Sequence, residues 1–401
     1  DRYYSSNTFY LVKGDDAMAD KFYRPTYLKV DLEAILKNYQ VLGKLQPNKT
    51  VMPVIKANAY GLGSVKVAHY LEKHGAEFFA VATLDEAIEL RMHGIDAKIL
   101  ILGVVMPNDI NKAIQHRVAL TVPSYQWLEA VIEQIEPENK KDLWLHVKID
   151  TGMGRLGIKT LEDYQKIVDT INQHDQLVFE GVFTHFAQAD EDSPHTHEQY
   201  QVFEDWVNTL PHPPYVHSQN SAGTILHEAP ICNMVRTGIS LYGYYPSEYV
   251  EEVTNAVLYP SAYWATEIME IKRLNLGDTV SYGSTFTADR ALKIAILGVG
   301  YADGFPRMMQ GATVEINGHH CEIIGRVCMD QMMVVLPEDD TFEVGDTATL
   351  LNREHQGPES LTSLAHQQQT INYEVLCRIG RRVPRIYEPE KEFDIVNELQ
   401  K

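Results

Sequence analysis

The sequence has few cysteines, and their spacing argues against two kinds of site. Its 401 residues include 4 cysteines. These are Cys232, Cys321, Cys328 and Cys377, and no two of them form a CxxC pair or a metal-ligand pattern. Disulfide-stapled domains and structural zinc sites depend on such patterns. We therefore predict free thiols in a reducing cytoplasm and no metal site.

Long apolar runs and an excess of basic residues are also missing. The longest apolar stretch, around Lys98 to Met106, is far shorter than the roughly 20 residues that span a bilayer. Lysine and arginine number 35 against 55 aspartates and glutamates, so the net charge is −20. An acidic chain repels nucleic acids and anionic membranes, and we expect neither as a partner. An anionic ligand must then be held by a local cationic pocket.

The length and texture of the chain predict two domains after a leader. A chain of 401 residues exceeds one ordinary hydrophobic core. Residues 1–17 precede Met18 and resemble a leader outside the fold. Residues 18–257 alternate apolar runs with helical patterns. Residues 258–401 carry short β runs with few helical patterns, and the Asn-Gly of "INGHH" between two such runs indicates a hairpin.

Eight apolar runs separated by helical patterns predict the first domain. They are Val51–Ile55, Phe78–Ala82, Lys98–Leu102, Val118–Val122, Leu143–Ile149, Leu177–Thr184, Tyr215–Ser218 and Asn233–Ile239. Continuous apolar strands alternating with helices indicate a parallel sheet that is covered on both faces. Eight such units indicate an α/β fold, a (β/α)8 TIM-type barrel, followed here by a mainly β C-terminal domain. A doubly wound open sheet is the alternative, but no GxGxxG loop supports it.

Polar residues stand where these runs end, which is where barrel enzymes carry their catalytic groups. They are Lys56, Lys148, Arg155, His185, His217 and Arg236. A lysine buried at a strand end can lose its proton and condense with an aldehyde, although a lysine that extends to solvent is the alternative. A buried arginine needs a partner, and a salt bridge at the barrel rim is the alternative to a ligand.

Three further features point to an anionic ligand. Ser221 enters a helical pattern and offers a hydroxyl and backbone N–H groups, although it could equally be a simple N-cap. The "RTGI" segment offers further backbone donors around Gly238. Lys148 and Arg155 flank a glycine-rich turn, which suggests a carboxylate or a modified lysine between them, with a solvated loop as the alternative.

Nine motifs resemble, in order and spacing, those of bacterial alanine racemases. They are "VIKANAYGLG", "VKIDTGMGRLGI", "FTHFAQADE", "NSAG", "VRTGISLYG", "VSYGSTFTA", "GYADG", "GRVCMDQ" and "TINYEV", and the match runs from about Tyr27 to Tyr387. The resemblance implies pyridoxal 5′-phosphate bound on a barrel, a C-terminal β domain and a homodimer. These agree with the strand pattern.

The resemblance also implies roles for individual residues. Lys56 would be the Schiff-base lysine and one catalytic base, and Tyr282, supplied by the partner subunit, would be the other. Arg236 would face the pyridine nitrogen. The residues that would surround the cofactor phosphate are Tyr60, Ser221, Gly238, Ile239 and Tyr373.

Further implied roles concern the substrate. Arg155, and Met329 of the second subunit, would bind its carboxylate. The residues that would support the site are Lys148, His185, His217 and Leu102. The residues that would line the corridor by which substrate arrives are Tyr301, Asp190 and Arg326.

The expected reaction is therefore the interconversion of L-alanine and D-alanine, which supplies D-alanine for peptidoglycan. A broader small amino-acid racemase that also takes serine shares most of these motifs. A decarboxylase on the same barrel is expected to place an acidic residue at the pyridine nitrogen, so Arg236 argues against it. A cofactor-carrier protein resembles the barrel alone, and would leave the domain of Tyr282 without a purpose.

Overall fold

The structure is a computed structural model that describes residues 22–338, 341–389 and 394–400. The predicted leader, residues 1–17, lies outside these ranges. The described residues form two compact units, one of residues 35–259 and one of residues 22–34 together with those from 260 onward. The division after residue 259 lies close to the predicted boundary. The first strand, β1 (Thr26–Asp31), corrects that prediction, because it belongs to the second unit.

Eight parallel strands form the unit of residues 35–259. They are β2 (Thr50–Pro53), β3 (Phe78–Val81), β4 (Lys98–Ile101), β5 (Ala119–Val122), β6 (Leu143–Lys148), β7 (Leu177–Phe183), β8 (Tyr215–His217) and β9 (Met234–Thr237). Hydrogen bonds join them in the order β2-β9-β8-β7-β6-β5-β4-β3. A bridge between Val54 and Ala80 brings the two ends of this series together, so the sheet is a TIM-like barrel. The eight predicted strands are confirmed, and the open doubly wound sheet is excluded.

Helices connect these strands on the outside, as burial of both faces of a parallel sheet requires. They are Leu32–Leu45, Ser64–Lys73, Leu84–Met92, Ile110–Gln115, Tyr125–Gln134, Leu161–Asn172, His195–Val207, Ser221–Leu226 and Glu248–Val253, with 3-10 turns at Pro107–Asp109 and Ile239–Tyr242. Several begin at a side-chain cap. Thr83 and Glu86 form a capping box at the start of Leu84–Met92.

The second unit is mainly β, as predicted. Its remaining strands are β10 (Ala262–Leu274), β11 (Thr279–Val280), β12 (Phe286–Thr287), β13 (Leu292–Leu297), β14 (Thr313–Ile316), β15 (His319–Ile324), β16 (Met332–Leu336), β17 (Thr347–Leu351), β18 (Arg385–Glu388) and β19 (Asp394–Val396). Strands β10, β17, β14, β15, β16 and β13 pair in a ring that returns to β10. Strand β1 pairs antiparallel with β10 and parallel with β18.

The predicted Asn-Gly hairpin joins β14 to β15. Asn317 and Gly318 have φ values of 52° and 82°, the left-handed pair that a two-residue hairpin turn requires. Two short helices, Leu361–Gln367 and Asn372–Cys377, complete the unit, with 3-10 turns at Tyr282–Ser284, Tyr301–Asp303 and Glu398–Gln400. Among the helices of the described ranges, none combines the length and apolar character needed to cross a bilayer.

Candidate active site

The carboxyl ends of the barrel strands carry the polar residues that the sequence predicts there. Lys56 follows β2, Lys148 ends β6, His185 follows β7, His217 ends β8 and Arg236 lies in β9. The side chains of Lys148, His217 and Arg236 are buried. Charged groups inside a barrel are costly unless they are hydrogen-bonded. The hydrogen-bond partners of these side chains therefore indicate which chemistry the site supports.

Arg236 is the centre of this group, and its described partners are uncharged. Its Nη1 donates to Nδ1 of His217 at 2.9 Å. Its Nη2 donates to the backbone oxygen of Thr184 at 2.8 Å and lies 3.3 Å from Nδ1 of His185 and from the backbone oxygen of Ser218. No carboxylate pairs with Arg236 among residues 22–338, 341–389 and 394–400, so the predicted salt-bridge alternative is not what holds it. Burial lowers the pKa of Arg236 to about 10, which keeps the guanidinium charged at neutral pH.

The two histidines beside Arg236 are neutral. Burial, and then the positive charge of Arg236, lower the pKa of both His185 and His217 well below its usual range. Lys56 contributes in the same direction to the pKa of His185. A neutral imidazole keeps one ring nitrogen as an acceptor, which lets each ring receive a hydrogen bond from the guanidinium.

A line of polar side chains continues from His217 through the barrel, and sequence reasoning missed it. Nε2 of His217 lies 2.9 Å from Nδ1 of His146, and Nε2 of His146 lies 3.1 Å from Oε2 of Glu180. The other carboxylate oxygen of Glu180 pairs with the ammonium of Lys98 at the amino end of β4. We call Arg236, His217, His146, Glu180 and Lys98 the interior chain.

Lys148 lies close to Arg236, and among the residues that the structure describes no carboxylate forms an ion pair with it. Its Nζ is 3.4 Å from the backbone oxygen of Ile149 and 5.4 Å from the centre of the Phe183 ring. Burial, followed by the charge of Arg236, lowers the pKa of Lys148 to about 7, although Asp150 opposes this. Such a lysine is available as a neutral amine near neutral pH.

Asp150, which sequence reasoning also missed, organises the turn that carries Arg155. Its Oδ1 accepts the backbone N–H groups of Gly152 at 3.1 Å and Gly154 at 3.0 Å. Burial raises the pKa of Asp150, but these two donors and the nearby lysines outweigh it and lower the pKa overall. The turn presents Arg155 as an exposed side chain.

The segment after Lys56 has an unusual backbone. Ala57, Asn58, Ala59 and Tyr60 have φ values from 51° to 56°, a short left-handed helical turn. Left-handed geometry costs an L-residue roughly 1–2 kcal/mol, so the surroundings must hold it. Asn58 accepts the backbone N–H of Ser64 at 2.8 Å through its side-chain oxygen.

Glu86 holds the start of this turn. Its Oε1 accepts the backbone N–H of Ala57 at 2.7 Å. Its Oε2 accepts those of Ala82 at 2.7 Å and Thr83 at 3.2 Å. One carboxylate thus ties the Lys56 segment to the loop after β3, a role that the sequence alone did not reveal.

The left-handed turn delivers Tyr60 to the predicted phosphate-binding residues. A Cβ atom placed on Gly238 would lie 2.2 Å from the Tyr60 hydroxyl oxygen, so only glycine allows this approach. The Ser221 hydroxyl accepts the backbone N–H of Gly238 at 2.9 Å and that of Ser240 at 3.4 Å. The helix Ser221–Leu226 is capped by Asn220 and not by Ser221, which excludes the simple N-cap reading of that serine.

These residues fit a phosphate group. Hydroxyls of Tyr60 and Ser221 converge on Gly238 at the start of the Ile239–Tyr242 turn, where the backbone N–H groups of Gly238 and Ser240 donate to Ser221. In addition, the hydroxyls of Thr237 and Ser240 are buried without a hydrogen-bond partner among the residues that the structure describes. Buried hydroxyls without a partner are rare, and a polar group of a bound ligand would supply one.

Two other predicted residues belong to the barrel unit. Leu102 directly follows β4, and its N–H donates to the Val81 backbone oxygen at 2.8 Å. The backbone oxygen of Asp190 accepts the Ser247 hydroxyl at 2.6 Å. Both side chains are half-buried.

The second unit gathers four of its predicted residues in one place. The backbone N–H of Tyr301 donates to the Cys328 oxygen at 2.9 Å, next to Met329 in the chain. A Cβ atom on Gly283, next to Tyr282, would lie 2.7 Å from Nη1 of Arg326. We call Tyr282, Tyr301, Arg326 and Met329 the exposed cluster.

Three side chains of the exposed cluster are exposed in the single chain, and the fourth, Arg326, is half-buried. Tyr282 is 68% exposed, Met329 is 51% exposed and Tyr301 is 40% exposed. Tyr373, the remaining predicted residue of this unit, is the second residue of the Asn372–Cys377 helix and is half-buried. Apolar and aromatic side chains grouped at a surface are typical of an interface.

Two family models match the chain. The model of the alanine racemase N-terminal domain matches residues 30–246, and that of the alanine racemase C-terminal domain matches residues 262–387. The alanine racemase of Staphylococcus carnosus is 81% identical over 384 residues, which are 96% of this chain and 100% of that protein. The alanine racemase of Staphylococcus saprophyticus is 58% identical with the same coverage.

Solved structures agree. An alanine racemase of Bacillus anthracis with bound L-Ala-P superposes with a TM-score of 0.89 at 36% identity, covering 95% of this chain and 100% of that one. A histidine racemase of Leuconostoc mesenteroides superposes with a TM-score of 0.85 at 27% identity, covering 92% and 100%.

Proposed function

The chain belongs to the alanine racemase family, and from this premise we propose that Lys56 and Tyr282 are its two catalytic bases. The protein is an isomerase that interconverts L-alanine and D-alanine with pyridoxal 5′-phosphate as cofactor. In this family the D-alanine formed supplies peptidoglycan synthesis.

Racemisation requires one proton to leave the α-carbon on one face and another to arrive on the opposite face. Two bases on opposite faces do this directly. When bound, pyridoxal 5′-phosphate withdraws electrons from the α-carbon and so makes its proton acidic. In the proposal Tyr282 accepts the α-proton of L-alanine while Lys56 donates a proton to the opposite face to give D-alanine. In the reverse direction Lys56 accepts the α-proton of D-alanine and Tyr282 donates.

We assign the cofactor phosphate to Tyr60, Ser221, Gly238 and Ile239 of the barrel, and the role of Tyr373 stays a prediction from the family resemblance. The observation that carries this is the convergence of the Tyr60 and Ser221 hydroxyls on Gly238, beside two buried hydroxyls that lack partners among the described residues. Hydroxyls and N–H groups at the start of a helical turn suit a phosphate.

Arg236 is proposed to face the cofactor ring nitrogen, with His185 and His217 supporting it. A guanidinium fixed by several hydrogen bonds and charged at pH 7 is a poor proton donor, so it would hold that nitrogen without protonating it. Arg155 is proposed to bind the substrate carboxylate, because it is an exposed cation on a turn that Asp150 fixes.

Lys148 is proposed to become carbamylated. A neutral amine attacks carbon dioxide, forms an N–C bond and releases one proton, which leaves a carboxylate on nitrogen. The lowered pKa of Lys148, about 7, supplies that neutral amine, and the product would place a negative charge beside Arg155. Leu102 would pack beside this region.

We also propose a homodimer in which each site takes Tyr282 and Met329 from the partner subunit. The exposure of Tyr282 and Met329 supports this, because both lie in one exposed cluster of the second unit. Tyr301 and Arg326 of the same cluster, together with Asp190 of the barrel, would line the substrate corridor. The four free cysteines support a cytoplasmic location.

The test measures racemisation of both alanine enantiomers by circular dichroism, for the wild type and for Tyr282→Phe. Loss of one base predicts a fall in kcat of roughly a hundredfold or more. Tyr259→Phe is the matched control, because Tyr259 is also a partly exposed tyrosine and lies outside the exposed cluster. Bound cofactor without racemisation by the wild type would instead support a carrier protein, and turnover of serine at the rate of alanine would support a broader racemase.

A further inference from the structure

The hydrogen bonds of the interior chain can run in one direction only, because one end can only donate and the other end can only accept. Arg236 has donors and no acceptor, whereas an ionised carboxylate such as Glu180 accepts and cannot donate. Glu180 is 3% exposed and pairs with the Lys98 ammonium. Burial raises the pKa of Glu180, but the hydrogen bonds and charges of His146 and Lys98 outweigh it and lower the pKa, so this carboxyl stays ionised.

These two ends determine where each imidazole carries its proton. Nδ1 of His217 must accept from Arg236, so the proton of His217 lies on Nε2. That proton is donated to Nδ1 of His146, so the proton of His146 also lies on Nε2 and is donated to Glu180. The opposite tautomers would set two donors against each other at Arg236.

The backbone of β6 and β7 leaves space for the side chains of the interior chain. The pairing of β6 with β7 shifts register between Leu145 and His146, opposite Phe179 and Gly181, so Glu180 is an extra residue in β7. A β-bulge of this kind turns one side chain to a face that alternation would not give it. A Cβ atom on Gly181 would lie 2.2 Å from Nδ1 of His146, so the ring occupies the space that any other residue would need.

We propose that Glu180 and His146 are positioning residues that fix the tautomer of His217 and thereby the orientation of Arg236. This inference rests on the proposed role of Arg236 at the cofactor. Lys98, half exposed at the amino end of the barrel, neutralises the buried carboxylate and completes the chain. Neither Glu180 nor His146 contacts substrate in this proposal, and both act through His217.

The test uses Glu180→Gln in the full-length protein with cofactor bound. Glutamine keeps the size of glutamate but adds an NH2 donor. The side chain at position 180 can then donate or accept, so the direction of the hydrogen bonds in the interior chain is no longer determined. We expect 15N NMR of the imidazole nitrogens, assigned with His146→Gln, to show Nε2–H tautomers for His146 and His217 in the wild type and a mixture in Glu180→Gln. We also expect kcat to fall roughly tenfold in both directions, the scale of one misplaced buried hydrogen bond, with KM changed less than kcat.

Glu359→Gln is the matched control. Glu359 is a buried glutamate of the second unit that lies 3.0 Å from Nδ1 of His320 and 2.8 Å from the Thr313 hydroxyl. This variant should leave both the two tautomers and kcat unchanged.

Three results would overturn the proposal. The first is that either His146 or His217 carries its proton on Nδ1 in the wild type. The second is that the tautomers or kcat do not change in Glu180→Gln. The third is that kcat falls equally in Glu359→Gln. The wild-type measurement does not depend on whether Glu180→Gln folds. Absence of racemisation in the wild type would instead contradict the proposed function, while the tautomers would still be readable.

Discussion

The surroundings of the two proposed bases differ chiefly in how far their side chains are buried. On the barrel side, Arg236 and His217 are buried and their hydrogen bonds end on atoms of the same unit. On the other side, Tyr282 and Met329 are largely exposed, and the backbone that carries them is fixed while the side chains are not covered. In the proposal, a single chain thus completes the barrel half of the site and carries the other half exposed at its surface. This difference is what a reaction site shared between two identical chains predicts.

The largest expected effect tests this division directly. Lys56→Ala should abolish racemisation and the visible absorbance of the bound cofactor, and Tyr282→Phe should lose most of its activity. Co-expression of the two variants creates mixed dimers in which one of the two sites has both bases. About a quarter of the wild-type activity should return if the chains associate at random.

The control for this experiment combines two barrel variants, Lys56→Ala and Arg236→Ala. Every site of such a mixed dimer carries one barrel defect, so no activity should return. If the Lys56→Ala and Tyr282→Phe pair also stayed inactive while mixed dimers formed, both bases would come from one chain, and the comparison would be wrong.

A smaller effect, specific to the barrel side, concerns Lys148. Its pKa is lowered from 10.5 to about 7, so the amine is mostly neutral above pH 7 and mostly protonated below it. We expect a carbamate signal in 13C NMR with labelled bicarbonate at pH 8, lost as the pH falls below 7. Lys148→Met should remove the signal and raise KM for alanine roughly tenfold, the scale of one charge-assisted hydrogen bond. A signal that persists in Lys148→Met would assign the carbamate to another amine.

The smallest effect concerns the left-handed turn after Lys56. Glu86→Gln replaces one of the carboxylate oxygens that accept the N–H groups of Ala57, Ala82 and Thr83. Stability in urea should fall by about 1 kcal/mol, and the cofactor should bind several-fold more weakly. Glu89→Gln, an exposed change on the same helix, should alter neither quantity. Equal losses in both variants would show that the helix, and not the turn, was affected.

The fold by itself does not select the substrate. A histidine racemase superposes on this chain nearly as well as an alanine racemase does, with TM-scores of 0.85 and 0.89. Specificity for a small side chain therefore depends on individual residues, among which we place Tyr282, Tyr301 and Tyr373. If the dimer brings them over the cofactor, they leave little space beyond a methyl group.

Much of the barrel could be predicted because its signals are local. Each strand is a short apolar run that must be buried on both faces, and the polar residue that ends it stands out by contrast. Lys56, Lys148, His217 and Arg236 were recognisable in this way. The Asn-Gly hairpin was recognisable because a two-residue turn needs left-handed φ values that few residues adopt.

The features that sequence reasoning missed depend on contacts between distant segments. Glu180 reads as an outward residue of an apolar strand, and only the β-bulge against β6 turns it toward His146. Glu86 reads as a helix-capping residue, which it is, but its second oxygen reaches the backbone of Ala57, 29 positions away. Strand β1 joins the second unit through pairing with strands more than 200 residues later, which local patterns do not encode.

The sequence alone thus determined the strands, the carboxyl-end positions of the polar groups and, through its motifs, the kind of chemistry. Tertiary structure decided which of those groups meet, which way Glu180 points and which nitrogen of each histidine is left to accept. The physical reason is that periodicity follows from burial of neighbouring residues, whereas a hydrogen bond between buried groups depends on register and bulges set by the whole barrel. In the proposed dimer, the surroundings of Tyr282 also depend on a second chain, which neither the sequence nor the tertiary structure of one chain decides.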